Sequence, residues 1–206
     1  MIWPHSFRHA IELIQISRAR TELAQARNGP DEAQRAAKQA YYSALHDRLT
    51  LLPNGEYFRA RLEQALGRTE PPRQALAVLC LNLDDFTSFI DTYGYDVGDE
   101  LLKMVASRML QAMRAEDMLS RLRNDEFASL VAGLPSQSQL SDLAAGLLRA
   151  VSAPVKIGVL HLCVHPNIGI ARCPADGVSA EALLANAEFA MYLAKHHKTG
   201  FAFNER

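Results

Sequence analysis

The 206-residue sequence has almost no net charge, few cysteines and no long apolar run. Its formal charge is −1, so composition gives no support for a nucleic-acid-binding or anionic-membrane surface. No stretch reaches the length of a membrane span, and the opening residues do not follow the basic-then-apolar order of a secretion signal. The three cysteines, Cys80, Cys163 and Cys173, are odd in number and lack metal-ligand spacing. Cys80 and Cys163 lie in apolar runs, where a thiol acts as a small buried hydrophobe. These absences predict a reducing, cytoplasmic setting. The chain is 49% hydrophobic and 22% charged, which fits one globular domain with an appendage.

Two acidic clusters stand out. Arg121-Leu122-Arg123-Asn124-Asp125-Glu126-Phe127 reads as a β-hairpin whose turn displays adjacent carboxylates. Leu79-Cys80-Leu81-Asn82-Leu83-Asp84-Asp85-Phe86 reads as a buried strand with an acidic end. Two such strand ends, close in space, form a scaffold for Mg²⁺-assisted nucleotidyl transfer.

Residues 1–46 form a separate region, an N-terminal helical arm, and 47–206 the folded domain. Within the arm, Ile11, Ile14, Leu23 and Ala26 lie on one helical face, and Asn28-Gly29-Pro30 breaks the pattern. A second helix runs from Asp31 to about Leu45, with Ala33, Ala36, Ala37, Ala40, Tyr41 and Ala44 on its apolar side. Two readings stand: a solvated hairpin packed on its own domain, or a signalling arm that pairs with a second copy. Beyond it, helix and strand alternate. Helices are predicted over 55–66, 97–113, 139–151 and 180–197. The 97–113 helix has Leu101, Leu102, Val105, Met109 and Leu110 on its core face. Strands are predicted over 75–83, 117–122, 127–132 and 200–204. Residues 155–171 hold one or two more, with a bend at Lys156-Ile157-Gly158 or near Pro166. The class is α+β: a central, mostly antiparallel sheet flanked by helices.

Five segments in order then resemble one family. Asp47-Arg48-Leu49-Thr50-Leu51-Leu52-Pro53-Asn54 is similar to D-x-L-T-G-L-P-N. Residues 81–102 are similar to D-x-D-x-F-K-x-x-N-D-x-x-G-H-x-x-G-D-x-x-L, and RLRNDEF to R-x-G-G-D-E-F. NIGIA at 167–171 and AEFAMYLAK at 187–195 complete the set. Over about three quarters of its length the chain resembles the GGDEF, or diguanylate cyclase, domain. The resemblance implies a sheet like that of adenylyl cyclases and polymerase palms, and a place in cyclic di-GMP signalling.

Active relatives join two GTP molecules with Mg²⁺, and against that pattern this sequence departs at several positions. The family's first metal-binding Asp is Asn82, a neutral and weaker ligand for a hard cation. The Leu83 carbonyl and the carboxylates of Asp125 and Glu126 stand at the other ligand positions, and Asp84 keeps the second acid. The base-reading Asn is Ile90, which has no hydrogen-bonding group, while its partner is kept as Asp99. A guanine facing Ile90 would lose about 1–3 kcal/mol in unpaired polar edges. Tyr95 replaces the usual His. Among phosphate contacts, a Lys is Thr87, Lys195 is kept, and the Arg expected four residues later falls at Thr199, beside Lys198. Arg123 and Asn124 replace the two glycines of the turn. Asn tolerates a left-handed backbone, so the turn still closes, but Arg123 is expected to stand where the nucleotide would lie.

The expectation is a catalytically degenerate domain with no resident cofactor, Mg²⁺ being needed only if GTP is bound. One constellation is intact: Arg114-Ala115-Glu116-Asp117 matches the family's R-x-x-D inhibitory site for cyclic di-GMP, with Arg121 placed to assist. Without ligand, Arg114 would simply end a helix and Asp117 cap the bend after it. The expected role is regulatory, with an EAL phosphodiesterase domain as linked partner in a longer protein and a homodimer through the N-terminal helices. The alternatives are an active cyclase with a variant signature or a pure interaction domain. His161 and His165 are expected on one strand face without a third metal ligand. His196 and His197 suit a helix C-terminus, Asp31, Glu32, Asp91 and Asp142 are solvated helix-end charges, and Trp3 and Phe7 anchor the first helix.

Overall fold

The computed structural model describes residues 32–67, 76–133 and 136–204. The predicted first arm helix, with Trp3 and Phe7, lies outside these residues. The second is a helix, α1, over Glu32–Leu45. Of its expected apolar side, Ala40, Tyr41 and Ala44 are exposed, Tyr41 at 72%. At its end the His46 ring stacks on Tyr42, centroids 3.9 Å apart, and His46 bridges to Pro53.

The domain then runs α2 (Gly55–Gly67), β1 (Leu76–Leu83), α3 (Phe86–Tyr93), α4 (Tyr95–Ala112), β2 (Met118–Arg123), β3 (Glu126–Ala132), α5 (Gln137–Ser152), β4 (Val155–Ile157), β5 (Leu160–Leu162), β6 (Pro166–Cys173), α6 (Ala180–His197) and β7 (Phe201–Phe203). Five strands form one sheet in the order β2-β3-β1-β6-β7. Every pairing in it is antiparallel except β6 with β7, which is parallel. β1 occupies the centre, and its run of apolar side chains is buried on both faces.

Strand alternation divides the core in two. Ala77, Leu79, Leu81 and Leu83 face one way, with Leu101, Val105 and Met109 of α4 and Leu140, Ala144 and Leu147 of α5. Leu76, Val78 and Cys80 face the other way, with Phe58 and Leu62 of α2 and Leu183 and Ala187 of α6. α6 lies close to the sheet because Gly169 has no side chain. A Cβ there would fall 2.0 Å from the Ala187 carbonyl oxygen and 2.1 Å from the Met191 nitrogen.

Local chemistry sets the helix ends. The Asn54 side chain accepts from the Tyr57 amide at 3.0 Å and starts α2. Ser136 and Gln139 form a capping box on α5. Arg108, on α4, donates to the Val151 and Pro154 carbonyls and also to that of Ala153, so it closes the C-terminal end of α5.

Several expectations are corrected. A helix not foreseen, α3, precedes α4, and Gly94, at φ 84°, separates them. Leu110 points outward at 54% exposure, because the buried stripe of α4 runs through Leu101, Leu102, Val105 and Met109. Residues 155–173 hold three strands; Gly158, at φ 59°, turns the separate β4–β5 hairpin. Cys163 is therefore in a connector and exposed, unlike Cys80. His161 is on β5 and His165 beyond it, so they do not share a strand.

Candidate functional site

The end of β1 and the tip of the β2–β3 hairpin meet as the sequence predicts. Asn124 adopts φ 41°, the left-handed conformation that lets a turn without glycine close. The register shifts between Arg121 and Arg123, so the strands twist just before the tip. Asp125 then points back at β1. Its Oδ2 accepts the Asn82 side-chain amide at 2.7 Å and the Leu83 backbone amide at 3.2 Å. The opposite orientation of the Asn82 amide would set two oxygens against each other at that distance, so the NH₂ group must face Asp125. Burial pushes the Asp125 carboxyl above the usual carboxylate range, against the lowering effect of the backbone amides at Asp125 and Leu83.

The other two carboxylates face cationic side chains, Glu126 through a hydrogen bond and Asp84 through an ion pair that leaves its buried Oδ1 without a hydrogen-bond partner. Arg123 turns back along its own hairpin and donates to Glu126 at 2.6 Å, with Glu188 of α6 3.9 Å away. Arg123 remains 66% exposed. It borders an open groove of about 500 Å³ between α2 and α6, whose floor includes Leu122 and Leu184. Lys195, in the last turn of α6, lies 3.1 Å from Asp84. Among the described residues no group of three or more His, Cys, Asp or Glu side chains is arranged to hold a metal ion. The divalent ion that the family pattern implies does not fit this donor set: an amide N–H occupies the Asp125 oxygen that a metal would share with β1.

Ile90, at the position that the family pattern assigns to base reading, packs against α4. Its Cδ1 would be 2.1 Å from a Cβ on Gly98, so the side chain lies in the gap that this buried glycine leaves between α3 and α4. Asp99, one residue on, is exposed, as is Thr87. Neither has a hydrogen bond to the tip among the described residues.

The Arg114–Asp117 pair is closed on itself. Arg114 Nε and Nη2 donate to the two Asp117 oxygens at 2.9 and 2.5 Å, and Nη2 also reaches the Ala132 carbonyl at 2.8 Å. The Asp117 side chain is fully buried and that of Arg114 is 32% exposed. Burial pushes the Asp117 carboxyl up while Arg114 opposes it; the same bond raises the Arg114 guanidinium. The pair braces the α4–β2 turn against the far end of β3. Arg121 is not brought to it: Arg121 Nη1 donates to Asp47 at 2.9 Å and Nε to the Asn124 carbonyl at 2.7 Å. Asp47 also accepts from the Thr50 hydroxyl and amide at 2.7 and 2.8 Å. This link from the 47–54 turn to the hairpin was missed at the sequence level. The R-x-G-G-D-E-F likeness marked Arg121 and the D-x-L-T likeness marked Asp47, but nothing in the spacing joined them.

Comparison with known proteins gives the family. Residues 44–200 match the family described as "Diguanylate cyclase, GGDEF domain". The chain is 38% identical over 172 residues to the bifunctional diguanylate cyclase/cyclic di-GMP phosphodiesterase MucR of Pseudomonas aeruginosa, covering 83% of this chain and 25% of MucR. It is 31% identical over 169 residues to the cyclic di-GMP phosphodiesterase PdeR of Escherichia coli, covering 82% of this chain and 25% of PdeR. The solved GGDEF domain of TpbB from Pseudomonas aeruginosa superposes with a TM-score of 0.74 at 35% identity, covering 78% of this chain and 94% of that one. The chain belongs to the GGDEF family of diguanylate cyclase-like domains. It spans about a quarter of the length of MucR and PdeR. No helix among the described residues is long and apolar enough to cross a membrane.

Proposed function

We propose that this chain is a catalytically degenerate GGDEF domain that serves as a regulatory module in bacterial cyclic di-GMP signalling. The observation that carries this reading is the Asn82–Asp125 hydrogen bond at 2.7 Å, which takes up the carboxylate that metal-assisted transfer would need. Ile90 over Gly98 supports it, since an apolar side chain fills the slot in which a purine edge would seek donors and acceptors. No step of cyclisation is derived from these residues. The expected result is no cyclic di-GMP from GTP with Mg²⁺ or Mn²⁺. Product formed by the purified wild-type protein overturns the proposal in favour of an active cyclase with a variant signature.

A linked or partner EAL domain is the proposed recipient of the regulation, in a cytoplasmic setting. The names of MucR and PdeR support this, because each couples a region like this chain to phosphodiesterase activity within a longer protein. Deleting residues 47–204 from a native protein that contains such a domain should change its phosphodiesterase rate. An unchanged rate leaves the interaction-domain alternative.

Arg114 and Asp117 are the proposed cyclic di-GMP contacts, Arg to phosphate and guanine edges and Asp to guanine N–H groups. Here the two ends of the pair satisfy each other, so a ligand must open a bidentate ion pair before it binds. Calorimetric titration of wild type against Arg114→Ala at fixed ionic strength tests it. A receptor should lose about ten- to a hundredfold in affinity on the substitution. Equal binding, or none at high micromolar ligand, removes the receptor role.

A further inference from the structure

We propose that the hairpin tip is held in place by protein donors that stand in for a divalent ion, with Asn82 as the residue that makes the site independent of metal. The proposal rests on the degenerate reading and gives it a structural consequence.

Three carboxylates lie on the β1 end and the hairpin, Asp84, Asp125 and Glu126, and each faces a different side chain. The amide of Asn82 ties the tip to the central strand through Asp125. The guanidinium of Arg123 holds Glu126 within the hairpin and approaches Glu188 on α6. The ammonium of Lys195 brings the end of α6 to Asp84 on the β1–α3 turn. Two tethered cations and one tethered N–H thus perform the joining that one bound ion performs by sharing its charge among several oxygens. Asn167 is the cross-strand partner of Asn82, is buried at 4% exposure, and turns an unpartnered amide nitrogen into the interior.

Asn82 decides the arrangement because of what its oxygen analogue would do. In Asn82→Asp the group 2.7 Å from Asp125 Oδ2 becomes a carboxylate oxygen, and two partly buried anions then face each other across β1 and the hairpin tip. At neutral pH a cation between them restores the contact; at low pH a shared proton does so instead. The single substitution should therefore convert a metal-indifferent domain into a metal-dependent one, without any claim on catalysis.

Thermal melting of wild type, N82D and N82A separates the outcomes, each in EDTA and in Mg²⁺ or Mn²⁺ at matched ionic strength. Wild type should melt at the same temperature in all three. N82D in EDTA should melt about 5 °C or more lower, and added metal should recover the loss saturably. N82A, which removes the donor without adding charge, should melt lower than wild type and ignore metal. A saturable rise in the wild-type melting temperature with Mg²⁺ overturns the proposal, as does an N82D protein that melts like wild type in EDTA. If N82D does not fold in any condition, N82A decides: melting that matches wild type, or that rises with metal, overturns it. A metal response without GTP turnover sinks this inference alone, whereas turnover sinks the regulatory reading, so the two failures are distinguishable.

Discussion

At the scale of single residues, the chemistry of the site is decided by side chains that differ from their expected counterparts by one functional group. Asn82 exchanges a carboxylate oxygen for an N–H, and Ile90 exchanges a polar amide for an apolar branch. Arg114 shows a different economy: one side chain neutralises a fully buried Asp117 and satisfies the Ala132 carbonyl. Removing it leaves an unpaired buried charge, so Arg114→Ala should cost about 3 kcal/mol in denaturant unfolding, apart from any effect on ligand. Asp117→Asn should cost less, because it retains one acceptor for Arg114. Asp47 supplies a pH test. Burial works to raise its carboxyl, but the Thr50 hydroxyl and amide and the Arg121 guanidinium outweigh it and hold it below the usual range. Its folded pKa is depressed, so its contribution is complete above the unfolded carboxylate pKa of about 4 and is lost as pH falls through the lower folded value. Stability measured from pH 6 downward should fall less steeply in Asp47→Asn than in wild type, and the two curves should converge at the acid end.

At the scale of elements, helix placement depends on two glycines that sequence patterning alone does not single out. Gly169 lets α6 approach the sheet, and through α6 it positions Lys195 and Glu188. A methyl at 169 collides with helix backbone on two sides, so no side-chain rotation relieves it. Gly169→Ala should destabilise by about 3 kcal/mol, visible as a lower urea midpoint. Gly98 accommodates a side-chain end instead. The clash there is with Ile90 Cδ1, so Gly98→Ala should be partly relieved by Ile90→Ala, and a double-mutant cycle should show favourable coupling. The start of α5 is simpler: Ser136→Ala removes one side of the capping box and should cost about 1 kcal/mol.

At the scale of the whole molecule, the sheet order β2-β3-β1-β6-β7 places the acidic end of the central strand beside a hairpin tip, with α6 on one face. The arm leaves from the 46–53 turn with Ala40, Tyr41 and Ala44 uncovered. Of the two expectations for this region, self-packing and pairing with a second copy, the exposure of Ala40, Tyr41 and Ala44 favours pairing, since a lone helix buries little area. Light scattering of the full chain should report a dimer, and removal of residues 1–45 should give a monomer. A full-length monomer at high concentration argues against pairing through the arm.

Much of this architecture is legible in the linear chain because it rests on local chemistry. Continuous apolar residues mark β1, helical periodicity and end residues mark α2, α5 and α6, and the Asn124 turn follows from what asparagine tolerates. Family motifs at their usual spacing bring the Asn82 and Asp125 strand ends together from the sequence alone. What the chain order does not encode is which donor meets which acceptor once distant segments are packed. Asn82 to Asp125, Arg121 to Asp47 and Arg114 to Ala132 span 43, 74 and 18 residues. Arg123 gives the clearest case. Its length and charge at a glycine position single it out in the sequence, but its partners, Glu126 in the hairpin and Glu188 from another element, are set by the fold. Sequence determines which functional groups the strand ends present. Only the packed sheet and α6 decide which of their charges are already satisfied from within, because hydrogen bonding depends on separations of a few ångströms between residues far apart in the chain.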